Sequence, residues 1–369
     1  MNGIFVGYAE TERCDRALFA GANTGRGFRS SYDEIFREGV TAERLYILKG
    51  GAGTGKSTFM RKAATEAVKR GYTAEFYVCG SDPDSLDAVV LDDRIVIADG
   101  TAPHVLEMQY PGTVSGIIDP AHWLDSEKLK EHKEEILKLT TDKAAQYRSA
   151  YRFLAAAEIL DGEMDEIISR NLDHDRLRLW TERKAKSMCG REVQKKLTGF
   201  PCRKNRYVCG ITMKGKISLR TLIDSAETVY GIRDDYGAAA VLLEKLGASL
   251  YERGLSVVYG RLPVSEKIRD LYIPEIGTVF TAGGTSGSVK TIHMSRFLKE
   301  EQYGQDKKRL KELLKIRNEM TDQACICLGK AGEAHFALEK IHVSAMDFRG
   351  LNRSCSQALN GIMEKLTTN

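Results

Sequence analysis

An α/β fold is predicted for this chain, a mostly parallel sheet flanked by helices and laid out twice in tandem. Three observations carry that expectation. A glycine-rich loop joins an apolar strand to a helix. Short apolar runs alternate with helical stretches, and their order recurs about halfway along the 369 residues.

The loop is Gly50–Ser57, GGAGTGKS. The run Leu45-Tyr46-Ile47-Leu48 precedes it as a strand. A helical stretch from Ser57 to Arg70 follows and stops at Gly71. Gly50, Gly55, Lys56 and Ser57 fill G-x-x-x-x-G-K-[ST], the phosphate-binding pattern of P-loop NTPases. Gly50, Gly51, Ala52, Gly53, Thr54 and Gly55 are expected to curl their N–H groups around an anion, which larger side chains would obstruct. The helix that opens at Lys56, Ser57 and Thr58 points its positive end at the same anion. Lys56 is expected to reach the β- and γ-phosphates of ATP, and Ser57 to hold Mg²⁺.

Downstream, Ala74–Cys79 reads as a strand, followed by a strand end rich in acids and hydroxyls: Ser81, Asp82, Asp84, Ser85 and Asp87. These acids suit either a Mg²⁺ or substrate site, or a turn and helix cap. The strand Arg94–Asp99 comes next, one βαβ unit after the loop. An apolar strand ending in Asp is the Walker B pattern, so Asp99 is a second expected Mg²⁺ ligand. No Glu follows it, although many ATPases carry a water-activating base there. His104 is expected at the carboxyl end of a parallel strand, where ligands of open α/β sheets bind. It is read as sensing the γ-phosphate or moving a proton, against the plainer reading of a turn or packing residue. Upstream, Ala20–Arg29 is a second glycine-rich loop, and Arg26 is a candidate nucleotide contact and in-cis arginine finger.

The repeat divides the chain. Laid over itself so that Arg70-Gly71 falls on Arg253-Gly254, the chain also places Ile95–Ala98 on Thr278–Thr281. At a second, slightly shorter offset, Leu154 meets Leu328, Asp165 meets Glu339, Ile167 meets Ile341 and Asp173 meets Asp347. Two modules are expected, 1–185 and 205–369, joined by a basic linker over 186–204, each ending in a helical hairpin or lid. The second loop is degenerate. At the first offset GGAGTGKS lands on RDDYGAAA, residues 233–240, so that Lys56 becomes Ala239, Ser57 becomes Ala240 and Asp99 becomes Ala282. Two carboxylates without a lysine should repel a polyphosphate, which makes the second module a pseudo-ATPase.

Composition narrows the class. Hydrophobic residues make up 42% of the chain, as in a globular protein. No apolar stretch is long enough for a membrane span, and the first residues do not read as a signal peptide. Eight cysteines without a C-x-x-C pair argue against a disulfide or zinc framework, so a reducing, cytoplasmic setting is expected. Residues 176–206 hold eleven Lys/Arg and two Glu in a chain of net charge +4. A solvated helix and linker is the preferred reading of that block, with nucleic acid or another anionic partner as the alternative.

Taken together, these motifs resemble a Firmicutes family of ATP-binding proteins with two tandem P-loop modules. The family's LKGGxGTGKS is matched at Leu48–Ser57 and its CxSDxxSLD at Cys79–Asp87. Its Asp-Gly-Thr-Ala-Pro-His is matched at Asp99–His104, and a GGNTxxGF-like entry at Gly21–Phe28. The resemblance implies nucleotide binding and ATPase activity, and no pathway. The family's second module usually carries another intact loop, and this chain departs from it there. The expected activity is therefore an ATP·Mg²⁺-dependent ATPase with one active site. The alternatives are a P-loop kinase passing the γ-phosphoryl to a small molecule or nucleotide, and a nucleotide-switched binding module. No N-K-x-D guanine motif is present, which leaves ATP as the default.

Overall fold

Short runs, most of them apolar or β-branched, build one sheet of twelve strands. The computed structural model describes residues 14–36, 42–191, 193, 197, 199–283 and 289–368. The N-terminal segment 1–13 and part of the expected basic linker lie outside them. The first half runs β1 (Cys14–Phe19), β2 (Gly21–Thr24), β3 (Gly27–Ser30), α1 (Tyr32–Ile35), β4 (Arg44–Leu48), α2 (Lys56–Lys69), β5 (Ala74–Val78), β6 (Leu86–Leu91), β7 (Ile95–Asp99) and β8 (Ser115–Ile118). Helices α3 (Ser126–Glu131), α4 (Lys133–Asn171) and α5 (His174–Met188) follow. The second half repeats the order: β9 (Arg203–Tyr207), β10 (Cys209–Thr212), β11 (Gly215–Ser218), α6 (Thr221–Asp224), β12 (Thr228–Arg233), α7 (Ala239–Tyr251), β13 (Val257–Arg261), β14 (Ile268–Ile273), β15 (Thr278–Thr281), β16 (Lys290–His293), α8 (Glu300–Ser344) and α9 (Phe348–Thr367).

The strands line up as β8-β4-β7-β6-β5-β1 and continue as β9-β13-β14-β15-β12-β16, the same order read outward from the centre. The two halves meet through an antiparallel β1–β9 contact. Six of the eleven junctions are parallel. The exceptions beyond the centre are β6 and β14, each antiparallel to both neighbours. Strand β6 corrects the sequence reading, which took Ser81–Asp87 as a strand end leading straight into the next βαβ strand. Its six residues are all buried, so they lack the alternation that marks a half-exposed strand. Strand β7 still lies beside β4, with Leu48 opposite Asp99. The glycine-rich stretch near Arg26 is likewise a β-hairpin, β2–β3, rather than a loop.

The helical tails are exchanged. Helices α4 and α8, 39 and 45 residues long, pack antiparallel. Their registry is marked by Arg170–Asp306 at 3.1 Å, Arg309–Glu163 at 2.7 Å and Arg317–Asp161 at 3.2 Å. At each end of the pair a short backbone clasp joins the halves. The Asp125 amide donates to the Ala345 carbonyl at 2.8 Å, and at the equivalent place in the repeat the Lys299 amide donates to Asn171 at 2.9 Å. The Asp347 amide donates to Trp123 at 2.9 Å, and the Asp173 amide to Phe297 at 2.8 Å. Beyond the clasps each tail joins the other half's core. Ile362, Met363 and Leu366 of α9 pack with Phe59, Met60 and Ala63 of α2. Leu177 and Ala185 of α5 pack with Leu242, Leu246 and Leu250 of α7. The expected modules 1–185 and 205–369 thus each lend a tail to the other's core. Among the described residues no helix is long and apolar enough to cross a membrane.

Ile362 is fully buried in the core around α2, although it comes from the last helix of the chain and α2 from the first half. Ile362→Ala should cost about 2–5 kcal/mol in urea unfolding. Hydrogen exchange in the variant should rise in α2 before it rises in α7; equal loss in both helices would contradict the exchanged packing.

Candidate functional site

Strand β4 ends at Leu48, and the chain turns through Gly50–Gly55 into α2. Two residues in that turn are left-handed, Gly53 at φ 75° and Gly55 at φ 83°. Side chains are strained there, so glycine is what lets the loop close on itself. The Lys56 ammonium curls back and donates to the carbonyls of Gly50 and Gly51, both at 2.7 Å. It also lies 3.5 Å from the Asp99 carboxylate. Thr54 is buried, and its hydroxyl donates to the Gly51 carbonyl at 2.9 Å. Thr101 ties the loop to β7: its hydroxyl donates to the Gly50 carbonyl at 2.8 Å, and its amide to Asp99 at 2.8 Å. The Ser57 hydroxyl accepts from the Leu86 amide at 3.1 Å. Ala52 and Thr58 line the same cavity. The parallel β4–β7 register therefore brings Lys56 to Asp99, and Ser57 lines the same cavity. Burial raises the Asp99 carboxyl above its usual range, with Lys56 opposing and Asp87 adding to the shift.

The acids after β5 divide by role. Asp82 accepts from the Ser85 hydroxyl at 2.8 Å and the Asp84 amide at 3.3 Å, which is a turn-forming arrangement. Asp84 pairs with Lys214 from the β10–β11 turn. Asp87 and His104 form a buried pair at 2.8 Å. The other imidazole nitrogen meets the Ser30 hydroxyl at 3.3 Å. Tyr32 stacks on the ring at 4.6 Å and Phe28 meets it edge-on at 4.6 Å. Tyr32 also donates to the carbonyls of Asp87 and Asp99, locking the two strand ends together. Both ring nitrogens of His104 are thus engaged, and the imidazole can approach a ligand only by exchanging a partner. Burial works against its protonation. The Asp87 charge and hydrogen bond, with Asp99 behind, outweigh that and hold the imidazole above its ordinary range.

The loop opens into a cavity of about 770 Å³. One wall is the start of α4, including Lys143 and Tyr147. Facing it is the end of α8, where His335, Leu338, Glu339, His342 and Val343 recur at helical spacing on one face. Burial lowers the basicity of Lys143, and burial together with the Lys143 charge lowers that of His335 and His342. Sequence reasoning missed these walls, since both come from helices far along the chain from the loop. The one trace of the α8 wall was the match of Asp165 with Glu339, an acid at the same place in both tails.

Arg26 is a correction. It sits in the β2–β3 turn with its side chain 86% exposed, paired to Glu158 of α4 at 3.1 Å, and it does not line the cavity. The equivalent turn of the second half brings Met213 to the cavity and Lys214 to Asp84.

The second loop is closed by its own side chains. Asp234 accepts from the amides of Ala239 at 2.8 Å and Tyr236 at 3.3 Å, so a carboxylate takes the helix-end donors. Lys267 lies against Gly237 and pairs with Asp165 of α4 at 2.5 Å. Arg269 stands where Asp87 stands in the first half, directly after the first residue of β14. It binds Asp270, Ser218 and the Leu219 carbonyl. Ser218 holds the hairpin position of Ser30, so one guanidinium replaces the Asp87–His104 pair.

The His104–Asp87 pair gives a pH signature with a fixed sign. The folded imidazole titrates above its unfolded value of about 6.5. Its contribution to stability is therefore full below that value and is lost as pH rises through the folded pKa. The stability difference between the wild type and Asp87→Asn, from urea unfolding, should be larger near pH 6 than near pH 9. A difference that does not change with pH would mean that the imidazole stays neutral throughout.

Among the described residues no group of three or more His, Cys, Asp or Glu could cage a metal ion by itself. Ser57 and Asp99 suit an ion such as Mg²⁺, which keeps waters and takes phosphate oxygens as its other ligands. Comparison with family models, with curated proteins and with solved structures gives no match, so the geometry of the site carries the functional reading.

Proposed function

We propose that the chain binds ATP·Mg²⁺ at the Gly50–Ser57 loop and hydrolyses it there, and that it is built from two tandem P-loop modules of which the second is a pseudo-ATPase. The observation that carries this reading is the meeting of three groups: a glycine turn at a helix start, Lys56 at its mouth, and Asp99 on the adjacent parallel strand 3.5 Å away. A helix N-terminus with free N–H groups attracts polyphosphate. Lys56 would exchange the Gly50 and Gly51 carbonyls for phosphate oxygens. Ser57 and Asp99 would hold the metal that neutralises charge developing on the γ-phosphoryl. The cavity volume lies within the range of small-molecule sites.

The closed second loop supports a single nucleotide per chain. Asp234 already takes the Ala239 amide, and the lysine is missing. Loss of a charge-assisted contact alone costs about 1.5–3 kcal/mol, roughly one to two decades of affinity. Calorimetric titration with a non-hydrolysable ATP analogue should give a stoichiometry near one. Lys56→Ala should abolish the signal while leaving the circular dichroism spectrum intact. A stoichiometry of two, or wild-type affinity in a folded Lys56→Ala protein, would sink the proposal.

Asp99→Asn separates metal chemistry from binding. It should retain analogue affinity within about tenfold, since the loop and Lys56 remain, and lose Mg²⁺-stimulated phosphate release. Equal phosphate release with and without Mg²⁺ in the wild type would remove Asp99 from that role. With labelled ATP, the ATPase releases free phosphate; label appearing in an added metabolite instead would identify a kinase.

A further inference from the structure

A hydrolytic site needs a group to take the proton of the attacking water, and no Glu follows Asp99 to do so. Four carboxylates line the cavity. Three are committed: Asp82 to its own turn, Asp87 to His104, Asp99 to Lys56 and the Thr101 amide. The fourth is Glu339, on the wall that α8 brings over from the second half. It makes no hydrogen bond or ion pair among the described residues, and the charges that act on it are Lys56 and Asp82. Its placement over the loop is close. A side chain begun on Gly53 would meet the Glu339 carbonyl at 2.9 Å and its Cγ at 3.0 Å.

The repeat gives an independent argument. Asp165 is the counterpart of Glu339 when the two tails are aligned, on the tail that crosses to the second half. There the acid is neutralised by Lys267, beside a loop already filled by Asp234. The two acids hold equivalent places on equivalent helices. One is free above the intact loop, and the other is consumed above the degenerate one.

We infer that Glu339 is the general base of the first half's site, supplied across the pseudo-two-fold axis by the second half. The inference rests on the ATPase reading given above. In the step, a water oxygen bonds to the γ-phosphorus as the bond from that phosphorus to the β–γ bridging oxygen breaks. The bridging oxygen keeps the electron pair and leaves with ADP. The water proton passes to the Glu339 carboxylate and from there to solvent. Burial raises the Glu339 carboxyl, with Asp82 adding and Lys56 opposing, which moves a carboxylate toward the pKa a base needs near neutrality. His335, His342 and Lys143 line the same cavity, and burial lowers the basicity of each.

The test measures phosphate release and analogue binding on the full chain for wild type, Glu339→Gln and Glu339→Asp. Glu339→Gln keeps the shape of the side chain. It should lower phosphate release by about 10²–10⁴-fold and leave the analogue affinity within about threefold of wild type. Glu339→Asp should recover part of the rate. Wild-type phosphate release in Glu339→Gln would overturn the inference and leave the ATPase reading standing. So would a rate loss matched by an equal affinity loss, which would make Glu339 a binding residue. A wild-type chain that binds the analogue but releases no phosphate would overturn the base and the hydrolysis together. A wild-type chain that binds no nucleotide would overturn the whole reading of the site.

Discussion

The reciprocal exchange of helical tails is the constraint on which the other features depend. Neither half of the sheet covers its own layer of helices. The apolar face of α2 is completed by Ile362, Met363 and Leu366, and that of α7 by Leu177 and Ala185. Each large buried side chain contributes about 1.5–3 kcal/mol, so separating the tails would forfeit a large part of a typical domain's stability. The clasps fix where each tail crosses. They are backbone hydrogen bonds between Asp125 and Ala345 and between Lys299 and Asn171, and side-chain changes do not remove them. Asp173 and Asp347 then start α5 and α9 by accepting from the amides of the first helical turn.

This topology explains what could be read from the sequence and what could not. The Gly50–Ser57 loop, its strand and its helix were legible because each is local: glycines at left-handed positions, an apolar run, a C-cap. Asp99 was legible for the same reason, and its place beside β4 came from parallel pairing. The repeat was visible as well, and both offsets survive in the element order. Strand β6 was hidden because a run buried on both faces has no period. The β2–β3 hairpin was hidden by its glycines, which suit a loop as well as a tight strand pair. Arg26 was misplaced because the sequence does not show which way the β2–β3 turn points: it lies against α4 and pairs with Glu158, outside the cavity. Nothing in residues 20–30 encodes that direction. His335, Glu339 and His342 carry only the helical period, which a packing face shows equally well.

The asymmetry of the two loops follows from where the fold stores its energy. The core around α7 is built from Ala239, Leu242, Leu243, Leu246 and Leu250, and it needs no lysine or hydroxyl at the helix start. What does have a cost is a helix start with unsatisfied amides, and Asp234 meets it by accepting from Ala239. Likewise, a buried Arg269 would be costly alone, and Asp270 and the Leu219 carbonyl satisfy it. At the second loop the polar groups present thus satisfy one another.

Such a half still has work that the first cannot do for itself. The wall opposite the Gly50–Ser57 loop belongs to α8, and the roof beside Asp84 belongs to the β10–β11 turn. The loop approaches α8 so closely at Gly53 that any side chain there would collide with the Glu339 carbonyl. Helix α8 is continuous from this contact back to Leu310 and Leu313, which lie in the core around α7. The second half is therefore part of the first site, because Met213, the end of α8 and Phe348 complete a cavity lining that the first half mostly supplies.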